Sequence, residues 1–430
     1  MTTSLSSLSS LLLSVLPAFT QPSGQLLIQL VMGWVLCPTR RTITAIIPFA
    51  QADSPHSHDA YHRFFRLGAW AISQLFHLWA GYLVSRFYPN GVLPLIADDT
   101  VHKKTGRQVN GAKYCRDAVR SCAHSVVYVW GLQFVPLCLR ITPPWGGEPL
   151  AVPINLRLYR KNGPSLLDLV EEMLDEVAKW FPQRRFLLVA DGFYAPLAGR
   201  LNSQTHLVSR MRADAAIYQL PPERKPGQHG RPRKKGQRLP PPAEIAQTTP
   251  AWKRVKTVER GVQRERLIHA EPVLWYHVAK DRPVLLVISR DPQGLEKDDF
   301  LFTTDLALDP PAAISEFANR WPVEDTFRNL KQFLGVEEPQ SWKGQAPEKV
   351  AAFGYLLYGV IWAWYIDHAY SSTPLPSTPW YASKSTPSFK DALAALRSQL
   401  WHGRLNYTVL DEAHFDKMIQ VLVHALSIAA

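Results

Sequence analysis

Two apolar runs that stop on an aspartate constrain this chain more than any other feature. Val92-Leu-Pro-Leu-Ile-Ala97 ends in Asp98-Asp99-Thr100, and Phe186-Leu-Leu-Val-Ala190 ends in Asp191-Gly192. Short continuous apolar runs bounded by polar residues read as strands buried on both faces. The carboxyl ends of such strands are where ligands gather in an α/β sheet. A lone strand-end aspartate is usually a turn residue, so neither aspartate is decisive alone. A third acidic residue, Glu324, changes the weight of the pair. It lies in Phe317-Ala-Asn-Arg320-Trp321-Pro322-Val-Glu324-Asp-Thr-Phe-Arg-Asn-Leu-Lys331. On one helix, Arg320, Glu324 and Lys331 would fall within about 40° of a single stripe. One carboxylate between two cations makes chemical sense if the carboxylate holds a metal and the cations hold phosphates.

Two local details refine this arrangement. Side chains alternate across a strand, so Asp98 and Asp99 point opposite ways and only one faces a shared metal. The choice here falls on Asp99, with Asp98 left to cap a turn. Pro322 removes an amide donor and clashes with the preceding turn, but suits a first helical position. The helix is therefore expected to kink or restart there, which puts Glu324 in a first turn and displaces Arg320 from the stripe.

A length of 430 residues allows two or three domains and a sizeable core. The formal net charge of +12 favours a polyanionic partner over a neutral one. Cys37, Cys115, Cys122 and Cys138 have no zinc-type spacing and read as reduced thiols of an intracellular, cytoplasmic protein. No segment reads as a secretory signal or a membrane span, because polar residues interrupt the apolar stretch 64–86. His56, His58 and His62 lack the accompanying ligands of a metal site.

Residues 1–88 read as helical, with apolar residues at helical spacing over Gln25–Cys37 and Ala60–Phe87. Thr39-Arg-Arg-Thr42 between them leaves two readings open: a helix-turn-helix-like DNA-binding unit, or a plain helical cap on the next domain. Strands are expected over Ser125–Thr142 and Leu150–Tyr159. A helix follows over Ser165–Trp180 with Ser165 as N-cap and Asp168 completing a capping box. After Asp191 come a short helix and a strand, His206–Arg212. Pro221–Pro242 is a Pro- and Gly-rich basic loop carrying Arg231, Arg233, Lys234 and Lys235, suited to phosphates. Residues 251–304 return to strands, and helices are expected over Glu348–His368 and Phe389–Leu400.

The order aspartate, aspartate, then glutamate between Arg and Lys resembles the DDE transposases of bacterial insertion sequences, in the group with a Tyr-Arg-Glu-Lys signature. Arg320, Glu324 and Lys331 match that signature, and Phe317 stands where the tyrosine would be. The first family aspartate usually precedes threonine, as Asp99-Thr100 does, and the second follows a buried strand, as Asp191 does. A β-rich subdomain between second aspartate and glutamate matches 216–305. The resemblance covers about 92–345.

The resemblance implies a ribonuclease H-like α/β catalytic domain (89–215 and 306–345), a β-rich insertion with a basic loop (216–305), an N-terminal helical domain and C-terminal helices (346–430). It also implies cut-and-paste transposition. Asp99, Asp191 and Glu324 would hold two magnesium ions, for which manganese can substitute. Arg320, Lys331, Arg210, Arg212, Lys103, Lys104 and the loop cations would contact DNA. Trp321 is a candidate for stacking a flipped base, with Trp252 and Trp275 as weaker ones. The DNA is expected to comprise element ends and target, bridged by a homodimer. Two rivals are a DNA-binding protein without catalysis and a structure-selective nuclease of the same fold.

Overall fold

The aspartate-terminated runs hydrogen-bond side by side. The computed structural model describes residues 3–50, 56–117, 120–122, 124–222, 232–372, 375, 384–406, 419 and 422. Five helices come first: α1 (Thr3–Leu13), α2 (Gln21–Leu36), α3 (Ile43–Ala50), α4 (His58–Arg66) and α5 (Ile72–Phe87). Then come β1 (Leu93–Ala97), β2 (Thr100–Lys103), β3 (Lys113–Arg116), β4 (Tyr128–Ile141), β5 (Leu150–Tyr159), α6 (Leu166–Trp180), β6 (Phe186–Ala190) and β7 (Thr205–Arg210). β1 pairs antiparallel with β4 and parallel with β6, β6 pairs parallel with β7, and β5 lies antiparallel on the far side of β4. Three antiparallel strands followed by two parallel ones, with α6 as the crossover from β5 to β6, is the ribonuclease H-like arrangement. The capping box expected at Ser165 forms: its Oγ accepts from the Asp168 amide at 3.2 Å, and its own amide donates to the Asp168 carboxylate at 2.8 Å.

The insertion extends this sheet instead of forming a separate body. It comprises α7 (Pro242–Thr248), β8 (Lys253–Glu259), β9 (Val262–Val273), α8 (Tyr276–Ala279), β10 (Val284–Arg290) and β11 (Asp299–Thr303). β11 pairs antiparallel with β7, and β10, β9 and β8 continue outward to complete one eleven-stranded sheet. β8 and β9 form a hairpin whose two-residue turn is Arg260-Gly261, both at positive φ (53° and 79°). That conformation matches the twist of the flanking strands.

The chain then returns through α9 (Pro310–Ala318), α10 (Pro322–Gln332), α11 (Ala346–Trp364) and α12 (Phe389–Asn406). Pro322 restarts the helix as expected, occupying the first turn of α10. The apolar stretch 60–87 is two helices, not one, because Gly68 closes α4 by donating to the Arg63 carbonyl. There is no room there for a side chain: a Cβ would lie 2.3 Å from the Phe64 carbonyl oxygen.

The helices at both ends of the chain share one core with the sheet. Leu27, Trp34, Phe65 and Trp79 pack in the same cluster as Leu95, Leu137, Tyr355 and Leu396. The Trp34 indole donates to the Leu334 carbonyl at 2.7 Å, and the Arg41 amide donates to Glu338 at 2.6 Å. The stretch Thr39–Thr42 is thus fastened to the catalytic part, and the face of α3 open to solvent offers only Thr44 and Pro48. The continuous helix Ala346–Ala369, α11 with the π-helical turn that follows it, is long and apolar enough to cross a membrane, yet 89% of its most apolar window is buried inside the fold. A chain starting at residue 89 should therefore fail to fold cooperatively, losing its thermal transition. A sharp unfolding transition from 89–430 alone would show that the helical segment is an independent domain.

Candidate active site

The parallel register of β1 and β6 pairs Ala97 with Ala190, so Asp98 and Asp191 leave neighbouring strands side by side. Strand alternation then decides which aspartate faces the helices. Ile96 packs with Cys138, Ala151, Val323 and Phe327, whereas Leu95 and Ala97 belong to the core on the other face. Asp98 and Thr100 share the Ile96 face. The Asp98 Oδ2 accepts from the Arg320 guanidinium at 2.6 Å, and Thr100 Oγ1 accepts from Lys331 Nζ at 2.8 Å.

Asp99 turns to other partners. Its carboxylate accepts from the Gln133 amide of β4 at 2.7 Å and from the Tyr194 hydroxyl at 3.3 Å. The sequence reading prefers Asp99 as the aspartate facing the metals, whereas in the structure it is Asp98 that bonds Arg320. The matching Ala-Asp endings of the two strands were the sequence signal for it.

Asp98 is largely withdrawn from solvent, and this desolvation lifts its carboxyl pKa to about 7, partly offset by Arg320 and reinforced by the negative charges of Glu324 and Asp191. Asp99 is also raised, again chiefly by burial, with Asp191 contributing. Asp191 caps the 3₁₀ turn Gly192–Gly199 by accepting from the Phe193 amide at 3.0 Å, and its carbonyl accepts from Ser209.

Glu324 is presented by α10. Val323 and Phe327 bury the helix against β1, β4 and β5, and Thr326 Oγ1 donates to the Ala151 carbonyl at 2.8 Å, which fixes its rotation. Glu324 and Lys331 stay on one stripe of α10, while Arg320 projects from the corner before it. Phe317 lies beneath two guanidinium groups, 5.3 Å from Arg210 and 5.9 Å from Arg320.

Among the described residues, no three His, Cys, Asp or Glu side chains are gathered closely enough to hold a metal ion. The donor set nevertheless fits a hard divalent cation: Asp98, Asp191 and Glu324 are oxygen donors, and the latter two add to the charge burden on Asp98. The cation now at Asp98 is the Arg320 guanidinium, itself 13% exposed, whose Nε lacks a hydrogen-bond partner.

A cleft of about 920 Å3 opens beside this cluster, lined by Asp191, Phe193, Arg320 and Trp321 on one side and by Arg260, Arg264 and Arg266 of the hairpin on the other. Its arginines are paired within the protein: Arg210 with Asp299, Arg260 with Glu148, Arg264 with Glu296, and Arg266 with Glu259 and Glu296. The hairpin arginines had no motif to mark them in the sequence; only the Arg-Gly turn between Val258 and Val262 signals the hairpin.

The remaining basic candidates divide. Arg210 lines the cleft, but Arg212 lies beyond the end of β7 and pairs with Asp214 in solvent, so the two do not share a strand face. Lys103 pairs with Asp117 at 3.2 Å. Lys104 is tied to the carbonyls of Glu337 and Pro339, and burial lowers its pKa to about 8, so it acts as a structural clamp. Lys235 lies over the Tyr218 ring at 4.0 Å, while Arg233 and Lys234 are exposed. Arg231 lies outside the described residues. Trp321 is 46% exposed in the cleft, whereas Trp275 is buried against Phe302 and Trp252 lies under Arg290.

A ribonuclease H-like sheet with acidic residues at adjacent strand ends and on the returning helix defines a nuclease-type enzyme of the DDE class. The chain matches the DDE superfamily endonuclease family over residues 14–282 and belongs to that family. Membership makes DNA its substrate and its chemistry divalent-metal-dependent. Glu324 lies beyond the matched span. No curated protein matches the chain.

The Asp98 pKa carries a stability consequence. A carboxyl that titrates near 7 when folded and near 4 when unfolded binds more protons in the folded state between those values. Stability from this group is therefore full below about pH 4 and is lost as pH rises toward 7. Asp98→Asn should thus gain stability relative to wild type between pH 4.5 and 7.5, roughly, as followed by urea unfolding. An equal gap at the two pH values would contradict the assigned environment.

Proposed function

We propose that this protein is a transposase of the Tyr-Arg-Glu-Lys type, which cleaves the ends of a DNA element and joins them to target DNA. The single observation that supports this most is the register that sets Asp98 beside Asp191, with Arg320 bonded to Asp98 and the charge of Glu324 acting on it, next to an arginine-lined cleft. Asp98, Asp191 and Glu324 are the metal ligands in this reading, with magnesium as the ion and manganese able to replace it. Asp99 holds Tyr194 and Gln133 and thereby braces the strand end. A divalent pair there would activate the attacking hydroxyl and stabilise charge on the leaving oxygen of the phosphodiester.

The chain's own groups do the positioning. Arg320 leaves Asp98 once that carboxylate is neutralised, and grips a phosphate in a bidentate way. Lys331 supplies a second charge from the far end of the same helix. Trp321 offers an exposed ring on which an unstacked base at the cut can rest. Arg210 lies within reach of the same backbone. A dimer bridged by DNA would hold both element ends for concerted joining, and the site of action would be the cytoplasm.

The test incubates the protein with magnesium and labelled duplexes carrying the element end, which flanking inverted repeats would reveal. Joining of cleaved ends to a second duplex supports transposition, cleavage alone supports a nuclease, and binding alone supports a non-catalytic DNA-binding protein. Asp98→Asn and Glu324→Gln should keep DNA binding and lose cleavage by on the order of 100-fold or more. Asp99→Asn should stay within about 10-fold of wild type. The reverse ranking of the two aspartates would overturn the ligand assignment.

A further inference from the structure

The tip of the β8–β9 hairpin does not wave in solvent. It crosses the cleft and docks on the opposite wall. The Val258 amide donates to Ser315 Oγ at 3.1 Å and the Arg260 amide to Asn319 Oδ1 at 3.0 Å, both at α9 and the corner that follows it. The Arg260 guanidinium donates to Glu148 Oε1 at 2.6 Å, in the turn between β4 and β5, and lies 5.4 Å from the Trp321 ring. Gly261 sits so close to Gly147 that a Cβ on it would come within 2.3 Å of the Gly147 backbone. The hairpin's apolar tip residues, Val258 and Val262, remain exposed at 51% and 58%. The tip itself is therefore held by a few polar contacts, individually weak, while farther down the hairpin Val255 and Ile268 pack in one apolar cluster with Ala313 and Ile314 of α9.

The cleft is the size of a small-molecule pocket, smaller than a duplex would need. Its arginines are neutralised by the protein's own carboxylates, so the cleft offers phosphates no unpaired guanidinium from Arg210, Arg260, Arg264, Arg266 or Arg320 until a pair is exchanged. Among these pairs, Arg266 with Glu259 is nearly buried, at 11% exposure on both sides. Arg260 with Glu148 is open to solvent and sits at the end of the element that closes the cleft.

We propose that the tip of the β8–β9 hairpin is a strap over the active-site cleft, and that Arg260 exchanges Glu148 for a DNA phosphate when the tip lifts to admit the duplex. The inference rests on the reading of this cleft as the DNA site. It makes Arg260 a further DNA-contacting residue, and Glu148 the group that holds it back in the free protein. Releasing Arg260 also uncovers the face of Trp321, so that strap opening and base stacking are coupled.

The two partners of this pair should then move DNA affinity in opposite directions. The probe is a short fluorescent duplex of arbitrary sequence, titrated by anisotropy at several salt concentrations with wild type, Glu148→Gln, Arg260→Ala and the double variant. Melting curves establish that each is folded. Glu148→Gln is expected to bind several-fold tighter. Arg260→Ala is expected to bind several-fold weaker, with the slope of log affinity against log salt shallower by about 1. In the Arg260→Ala background, Glu148→Gln should have no further effect. Weaker or unchanged binding by Glu148→Gln overturns the strap. So does a gain that persists without Arg260, which would report only the general field of a lost carboxylate. Failure of the wild-type protein to bind duplex at any low salt concentration would instead overturn the reading of the cleft as a DNA site.

Discussion

The buried ion pair between Asp98 and Arg320 ties the architecture to the chemistry. It joins the end of the central strand β1 to the corner between α9 and α10, and both side chains are nearly excluded from solvent. Burial raises the Asp98 carboxyl despite Arg320, so the pair fixes geometry more than it adds stability. The corner it holds carries Trp321, Pro322 and, one turn on, Glu324. The same arginine that bonds Asp98 in the free protein is the group to be displaced before Asp98 can serve a metal. A burdened carboxylate at rest, with Glu324 and Asp191 adding to its charge, is a site already biased toward accepting a divalent cation.

The sheet supplies rigidity around that pair. Parallel pairing of β1 with β6 sets Asp98 beside Asp191, and the packing of Val323 and Phe327 on Ile96, Cys138 and Ala151 sets the height of α10 above them. The insertion is continuous with the same sheet through β11 and β7, so the hairpin that closes the cleft is tied through β10 and β11 to the strand next to β6, which ends at Asp191. Motion of the strap and geometry of the acidic site are thereby linked through a shared wall. The helices of the two chain ends bury the opposite parts of the sheet, with α11 threaded almost wholly through the interior.

Much of this was legible in the sequence because local rules sufficed. The buried strands ending at Ala97 and Ala190, the capping box at Ser165 and the helix restart at Pro322 each follow from a few neighbouring residues. What escaped was set by pairing across distance. The face taken by Asp98 depends on a register with β6 that only the fold fixes, although the repeated Ala-Asp ending hinted at it. Strands over Trp252–Glu259 and Ile268–Val278 were expected, but the first half of β9 was missed, because Val262–Arg266 is mostly exposed and charged and its apolar alternation is weak. The break at Gly68 was hidden inside an apolar stretch with continuous helical spacing. Lys104 looked like a phosphate contact and proved to be a clamp, since sequence does not reveal that the carbonyls of Glu337 and Pro339 lie within its reach.

The central claim is that Asp98, Asp191 and Glu324 share a divalent cation in place of the Arg320 contact. Anomalous diffraction from crystals grown with manganese tests it most directly. The account predicts a peak in contact with the carboxylates of Asp98, Asp191 and Glu324, with Arg320 turned into the cleft. A manganese peak coordinated by Asp99 and not by Asp98, or an Arg320–Asp98 pair that persists beside a fully occupied metal, would contradict it.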